Sequence, residues 1–389
     1  MIVRLPQDLE LAGEAKKLFS EQVYYLSPVI ESCRFVSQGL EVSLNGEPDD
    51  PDALGEQIIG LAQRVAASYQ RVETQILDSH QGEITFDQDP YPELVETRQV
   101  MPSQPGVYAF QGLFLQVMQA LDAFFRDYAL DIGSIEQAYP VTVPTTSLVQ
   151  NGYLSGFPQN AMFASSIQHK LESIEFVANA LSEMPDHAAA LAGHLGSPDQ
   201  ALSPTVCYHC FETLRGRTLP AKGTVFTAVG LCHRHESSNI QGLTRLQTYN
   251  MREIIFYGAQ DFVLDIRQKV LEHCMASLSQ WDLTCRVATA TDPFFATGAD
   301  MKRSYQALMG LKYELQTYIP FSDSWLSVAS FNNHQRSLVT SYDITCKTDD
   351  ETLSSGCVGY GYERLAFSIF SQFGCDPRKW PAPLGELIK

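Results

Sequence analysis

A chain of 389 residues that is 44% hydrophobic and only 19% charged can bury one large core or two moderate ones, which excludes disorder as its ground state. Its formal charge of -18 is concentrated at the front, where residues 1–100 carry 18 acidic against 7 basic side chains; binding a polyanion takes Lys and Arg, so this balance weighs against a nucleic-acid partner. Nine cysteines are too sparse for a disulfide framework and predict free thiols or a metal site in a reducing compartment, while no apolar leader and no run of about 18 apolar residues predict a cytoplasmic chain without a membrane partner.

Residues 1–100 read as a small acidic α/β domain. Helix-like stretches around 8–20 and 55–75 flank "CRFVSQGLEVSLNG", whose alternation predicts a hairpin ending at Asn45-Gly46. "NGEPDDPD" is a loop, and "HQGEITFDQDPYPE" is a polar connection to a second domain spanning 101–389. From Val107 to Tyr128, Phe110, Leu113, Phe114, Val117, Met118, Leu121, Phe124 and Phe125 recur every three or four residues. That spacing predicts an amphipathic helix whose aromatic stripe is core rather than a ligand box. "QAYPVTVPTTSLVQNGYLSGFP" reads as a strand interrupted by Pro and Gly, 161–184 as a helix, and "LAGHLGSPDQALSPT" as a loop. Segments 202–208, 224–232 and 243–257 are rich in β-branched and aromatic residues and predict strands of an antiparallel sheet. Helices follow at 259–280 and 299–318, strands at "WLSVASFNNH" and "RSLVTSYDITC", and a closing helix at "ERLAFSIFSQF".

Two constellations carry chemistry. Cys207 and Cys210, followed by Cys232, His233 and His235, have the look of a closed zinc knuckle with four ligands. Its second half is irregular, and on a strand "CHRHE" would point His233 and His235 one way and Arg234 and Glu236 the other. The second is "SSGCVGYGYERLAF", where small residues permit close backbone approach ahead of Glu363 and Arg364. It has neither the GxGxxG spacing of a dinucleotide fold nor the GxxxxGK spacing of a P-loop.

In order along the chain, Pro140 ending "IEQAYP", "CHRHE" with "RLQTYNMRE", and "GYGYER" resemble the first, second and third signatures of class II aminoacyl-tRNA synthetases. "GVYAF", "NGYLSGFP", "SPTVCYHCF", "ATDPFF", "SFNNHQ" and "SSGCVGYGYER" narrow the resemblance to the amino acid:[carrier protein] ligases, homologues of the zinc-dependent seryl-tRNA synthetases of methanogens. The likeness covers roughly 105–375. It implies an α+β fold, with an antiparallel sheet flanked by helices and a smaller N-terminal α/β region. It also implies zinc held by Cys207, Glu253 and Cys357, with Cys210 left as core on the opposite strand face; the bland alternative is three unrelated buried residues, with Arg252 partnering Glu253.

The same resemblance implies ATP-dependent activation of a small amino acid as its adenylate, and transfer to the phosphopantetheine thiol of an acyl or peptidyl carrier protein. Arg234 then meets the α-phosphate, Arg364 the far phosphates, Tyr249 and Glu236 the adenine, and Arg245 the phosphates from its loop. Mg2+ accompanies the triphosphate, with Glu351 as its candidate ligand and Asp349 and Asp350 as competitors, while His334 is a candidate near the thiol step. A homodimer is expected, and a helical carrier-docking element within 259–318. Two other readings stay open. One is seryl-type aminoacylation of transfer RNA, disfavoured because residues 1–100 lack a basic coiled-coil arm; the other is a non-catalytic, synthetase-like binding or regulatory protein.

Overall fold

The computed structural model describes residues 1–389 apart from 7, 8, 10, 12, 37, 38, 69–73, 237–239, 241, 293–298, 348–351 and 389. At the start, strands Ile2–Val3, Ile30–Val36 and Gly39–Leu44 form an antiparallel sheet. Helices Gly13–Gln22 and Pro51–Ser68 share with it a core around Phe19, Leu40, Val42 and Ile58. The expected hairpin is there, its second strand ending at Leu44.

The rest is organised by an eight-stranded sheet. Its members are β1 (Ile76–His80), β2 (Ile135–Glu136), β3 (Thr224–His233), β4 (Thr248–Gly258), β5 (Cys285–Thr289), β6 (Lys312–Ile319), β7 (Ser324–Gln335) and β8 (Ser354–Gly361). They lie in the order β1-β5-β6-β7-β8-β4-β3-β2, all antiparallel except the parallel contact of β2 with β3. One face is dry. Against it pack α1 (Gly112–Asp131), α3 (Gln260–Gln280) and α5 (Tyr362–Phe373), which interleave Phe114, Leu121, Phe125, Val270 and Phe370 with Ile254, Phe331, Val358 and Tyr360 of the strands. Phe125 stacks on Tyr360 with ring centroids 4.1 Å apart. The opposite face carries α2 (Cys207–Thr213), α4 (Ala299–Leu308) and a cavity of about 750 Å³.

Several local expectations change. Val107–Phe110 is a strand paired with Val100–Gln104 about Gly106, so the long helix begins at Gly112; four apolar residues fit either period until a partner decides. The segment 140–158 folds mainly as two short helices, Thr145–Gln150 and Tyr153–Gly156, after a strand of three residues at Thr142–Pro144. Within 161–184 the helix is confined to Leu171–Asn179, and a further short helix, His187–Ala192, ends at the start of the expected loop. Cys207 opens a helix rather than ending a strand. The expected helix 299–318 stops at Leu308, and after Gly310, at φ +56, the chain becomes β6; the alternation of Tyr313, Leu315, Thr317 and Ile319 with polar residues fits a sheet. "RSLVTSYDITC" holds the helix Ser337–Ser341 and only two strand residues, Thr345–Cys346.

The glycines of β8 have different reasons. A Cβ at Gly356 would lie 2.5 Å from the carbonyl oxygen of Asn332 and against the Phe256 ring, whereas at Gly361 the nearest atom is the Val328 carbonyl oxygen, 3.8 Å away. Gly356→Ala is therefore expected to destabilise the fold by about 3 kcal/mol, because neither neighbour can retreat, and Gly361→Ala by less than about 1 kcal/mol. Chemical denaturation of the two variants beside wild type checks the contrast.

Candidate active site

Alternation on β4 and β8 sends Met251, Glu253, Cys357, Gly359 and Gly361 to the cavity face. Glu253 pairs across the ladder with Gly359, and Gly359 with Ser330. The glycine keeps the floor low, since a Cβ there would reach to 3.0 Å from Met251 Sδ. At one end of this floor, Cys207 Sγ, a Glu253 carboxylate oxygen and Cys357 Sγ lie within 4.8 Å of one another, all three residues buried. Among the described residues no other group of three such ligands forms. Cys232 is buried elsewhere, with Val206 and Ala228, so the closed knuckle does not assemble.

The start of α2 makes this cluster. Val206 N and Cys207 N donate to the Glu253 carboxylate at 2.9 and 3.1 Å, and the Thr205 hydroxyl donates to it as well. These donors orient the Glu253 side chain and hold Cys207 beside it. Arg252 is not its partner: that guanidinium lies on the dry face, bound to Asp122. Cys210, one helical turn on from Cys207, is buried with Phe211 and Tyr342, and burial pushes its thiol up to about 12. From β7, Asn332 Nδ2 donates to Cys357 Sγ at 3.6 Å and His334 Nε2 approaches the same sulfur at 3.5 Å.

The three groups titrate together. Cys207 is pushed well up by its hydrogen bond to Cys357 and by burial, while that same bond holds Cys357 well below the usual thiol range. Burial raises Glu253 to about 8, with the Cys357 charge adding to it. Two thiols and a carboxylate at this spacing match the soft and hard donors of a tetrahedral Zn2+ site that leaves a fourth position open.

The other end of the floor is cationic. Arg234, just past β3, donates from Nε to the Pro204 carbonyl oxygen at 3.1 Å, and its guanidinium carbon lies 5.7 Å from the Tyr249 ring centroid. Arg364 donates to the Ser327 carbonyl oxygen at 3.1 Å, and burial lowers its pKa. Glu236 and Arg245 form an ion pair at 2.5 Å. Arg234, Glu236, Arg245, Tyr249 and Arg364 all line the one cavity with Cys207, Glu253 and Cys357. Glu351, Asp349 and Asp350 lie outside the described residues.

Other residues around the cavity were given no role by the sequence. Asn250 donates from its backbone N and Nδ2 to Glu363, which burial raises to about 7; this ties β4 to the first turn of α5. Asp292 accepts from Lys312 Nζ at 2.5 Å and Gln306 Nε2 at 2.7 Å, fastening α4 to β6 at the cavity wall. Asn250 and Glu363 lie within "RLQTYNMRE" and "GYGYER" and Asp292 within "ATDPFF", whereas Gln306 and Lys312 lie in none of the quoted motifs.

Residues 197–373 match the family model of the tRNA synthetase class II core domain (G, H, P, S and T). Over 301 residues the chain is 29% identical to amino acid–[acyl-carrier-protein] ligase 1 of Bradyrhizobium diazoefficiens, covering 77% of this chain and 90% of that protein. It is 26% identical over 338 residues to the type-2 serine–tRNA ligase of Methanopyrus kandleri, covering 81% of this chain and 63% of that one. In fold it resembles M. kandleri SerRS, solved in complex with A. aeolicus tRNASec, with a TM-score of 0.70, 19% identity, and coverage of 99% of this chain and 76% of that one. Seryl-tRNA synthetase from Pyrococcus horikoshii, solved with ATP, gives a TM-score of 0.61 at 12% identity, covering 87% of this chain and 79% of that one. The ordered motifs, the antiparallel sheet and the matched sequence agree: residues 197–373 match the class II tRNA synthetase core, and the chain is similar to amino acid–[acyl-carrier-protein] ligases and type-2 serine–tRNA ligases.

Proposed function

We propose that this chain activates a small amino acid with ATP and transfers it to the phosphopantetheine thiol of a carrier protein. The observation that carries this reading is the shared cavity: a Cys2Glu cluster at one end and the arginines of the second and third signatures at the other. The amino acid carboxylate attacks the α-phosphorus, pyrophosphate leaves, and the carrier thiol then displaces AMP from the acyl carbon. Arg234 neutralises charge growing on the α-phosphate oxygens, with its planar fork already oriented by Pro204. Arg364 holds the far phosphates and Tyr249 offers its ring to adenine. Glu236 and Arg245 exchange their mutual ion pair for contacts with the base and the phosphates.

Cys207, Glu253 and Cys357 would hold Zn2+, which supplies a Lewis-acid position for the substrate amine. Mg2+ accompanies the triphosphate, and Glu351 stays a candidate ligand for it. Carrier docking is placed on α4, since α3, the other helix of 259–318, is packed into the dry core. A homodimer through the β3–β2 edge accounts for the exposed Ile135, Val229 and Leu231. Among the described residues no helix is long and apolar enough to cross a membrane. The carrier protein is favoured over transfer RNA as acceptor because the ligase match spans nearly the whole of that relative, whereas the chain spans 63% of the M. kandleri tRNA ligase. A non-catalytic role is disfavoured because the five ATP-side residues all reach the cavity.

Metal analysis is expected to find one zinc per chain, lost in Cys207→Ala and Cys357→Ala and kept in folded Cys210→Ala. The reverse pattern sinks the assignment. Loading displaces the protons of Cys207 and of Glu253, whose carboxyl sits at about 8. Zinc affinity should therefore rise with pH, by up to about 100-fold per unit below that value, and flatten in stages above it. Chelator competition from about pH 6 to about pH 9 measures the slope.

Amino-acid-dependent exchange of pyrophosphate into ATP is expected without any carrier, and Arg234→Ala should lower it roughly 100-fold. A folded variant with near-wild-type exchange removes Arg234 from its role. For the acceptor, labelled amino acid and ATP are offered to total transfer RNA and to holo- and apo-carriers. Thiol-labile label on a holo-carrier alone supports the proposal, and label on transfer RNA alone overturns it.

A further inference from the structure

Behind the floor of the cavity, on the dry face of the sheet, lies a charged network to which none of the signature roles has been given. Arg252 is 1% exposed. Its Nε donates to Asp122 Oδ1 at 2.6 Å and its Nη2 to Asp122 Oδ2 at 3.1 Å, a two-pronged pair from β4 to the middle of α1. The same Oδ1 accepts the Tyr362 hydroxyl at 2.8 Å. Arg252 Nη1 donates to Thr227 Oγ1 at 3.1 Å, and Thr227 donates in turn to the Glu253 carbonyl oxygen at 3.0 Å. On the outer side, Glu136 lies 3.7 Å from Arg252 Nη1 and is itself bound to Arg126.

Two members of this network lie within two residues of a group on the reactive face. Arg252 precedes Glu253 on β4, and alternation turns the two to opposite sides. Tyr362 follows the last residue of β8 and opens α5, two residues before Arg364. One carboxylate thus grips the strand that bears Glu253 and the helix start that bears Arg364. A charged pair in an otherwise apolar layer is a poor source of stability, whereas a fork closed on a single carboxylate fixes distance and orientation at once.

We propose that Asp122 is a positioning residue: by holding Arg252 and Tyr362 together it sets the spacing between Glu253 and Arg364, the two ends of the cavity. What those ends bind rests on the function proposed above. The network predicts an asymmetry. Tyr362→Phe cuts only the tie to α5 and should weaken MgATP binding about tenfold while leaving zinc affinity unchanged; Asp122→Asn loosens both ties and should weaken both by about tenfold, the order expected when binding groups shift by a fraction of an ångström.

The test measures zinc affinity by chelator competition, MgATP affinity by calorimetry, the KM and kcat of pyrophosphate exchange, and the melting temperature, for wild type and both variants. The asymmetric pattern supports the proposal. Tyr362→Phe moving both affinities equally, or neither, overturns it, as does an Asp122→Asn protein that melts lower yet binds both ligands like wild type. If Asp122→Asn does not fold, Tyr362→Phe decides alone. Wild type that binds zinc and MgATP but exchanges no pyrophosphate sinks the activation reading and leaves the positioning inference to be decided by the two affinities. Wild type that binds neither overturns both.

Discussion

Adjacent ionisable residues, Arg252 and Glu253, are turned to opposite faces by the pleat of β4, and the site is arranged around that separation. Both are almost wholly buried, at 1% exposure each. An ion taken out of water costs several kcal/mol unless polar partners replace its hydration. Since the strand keeps the two from pairing, each needs a separate set of polar partners on its own face. Arg252 recruits Asp122 and Thr227; Glu253 recruits Thr205 and the backbone of Val206 and Cys207. The first set docks α1 on the sheet and the second sets the start of α2.

That division explains how three candidate ligands far apart in the chain converge. Cys357 is delivered by register alone, because β8 lies beside β4 and Cys357 pairs with Ile255, two residues from Glu253. Cys207 comes from outside the sheet, and only the hydrogen bonds of Glu253 to the backbone before it and at it bring its thiol alongside. A carboxylate that receives two backbone N–H groups is a candidate ligand as well as a fastener. An amide in its place could keep part of the second role but not the charge of the first.

How much of this was legible follows from what kind of interaction made it. Strands β3, β4 and β7 and helix α5 show in the sequence through composition and periodicity, whereas the strand β8 lies in a glycine-rich stretch buried on both faces and gives no alternation to read. Cys207 was misread as a strand residue because "VCYHCF" has strand composition, while the helix there is set by Glu253, 46 positions away. The strand β6 was hidden in a helical reading because Gly310, which ends α4, is one glycine with no helix-stop signal besides it. The Cys207, Glu253 and Cys357 set came from family resemblance, since no spacing rule links those positions. Asp122 and Tyr362 were passed over for a simpler reason: nothing in sequence marks one acid on an amphipathic helix, or the aromatic inside "GYGYER", as each other's partner.

The charge state of the front cluster completes the picture. Three anions buried within 4.8 Å would oppose folding if they formed before any cation arrived. Burial and the mutual hydrogen bond oppose this: Cys207 is pushed well up, Glu253 is raised to about 8, and Cys357 alone is held low. Asn332 and His334 lie against the Cys357 sulfur. Binding a cation here is therefore a proton exchange as well as a coordination step. A site of that kind needs its precision from the opposite face, where Arg252 is ionised and permanently paired, because the groups on the reactive face change their protonation whenever they bind.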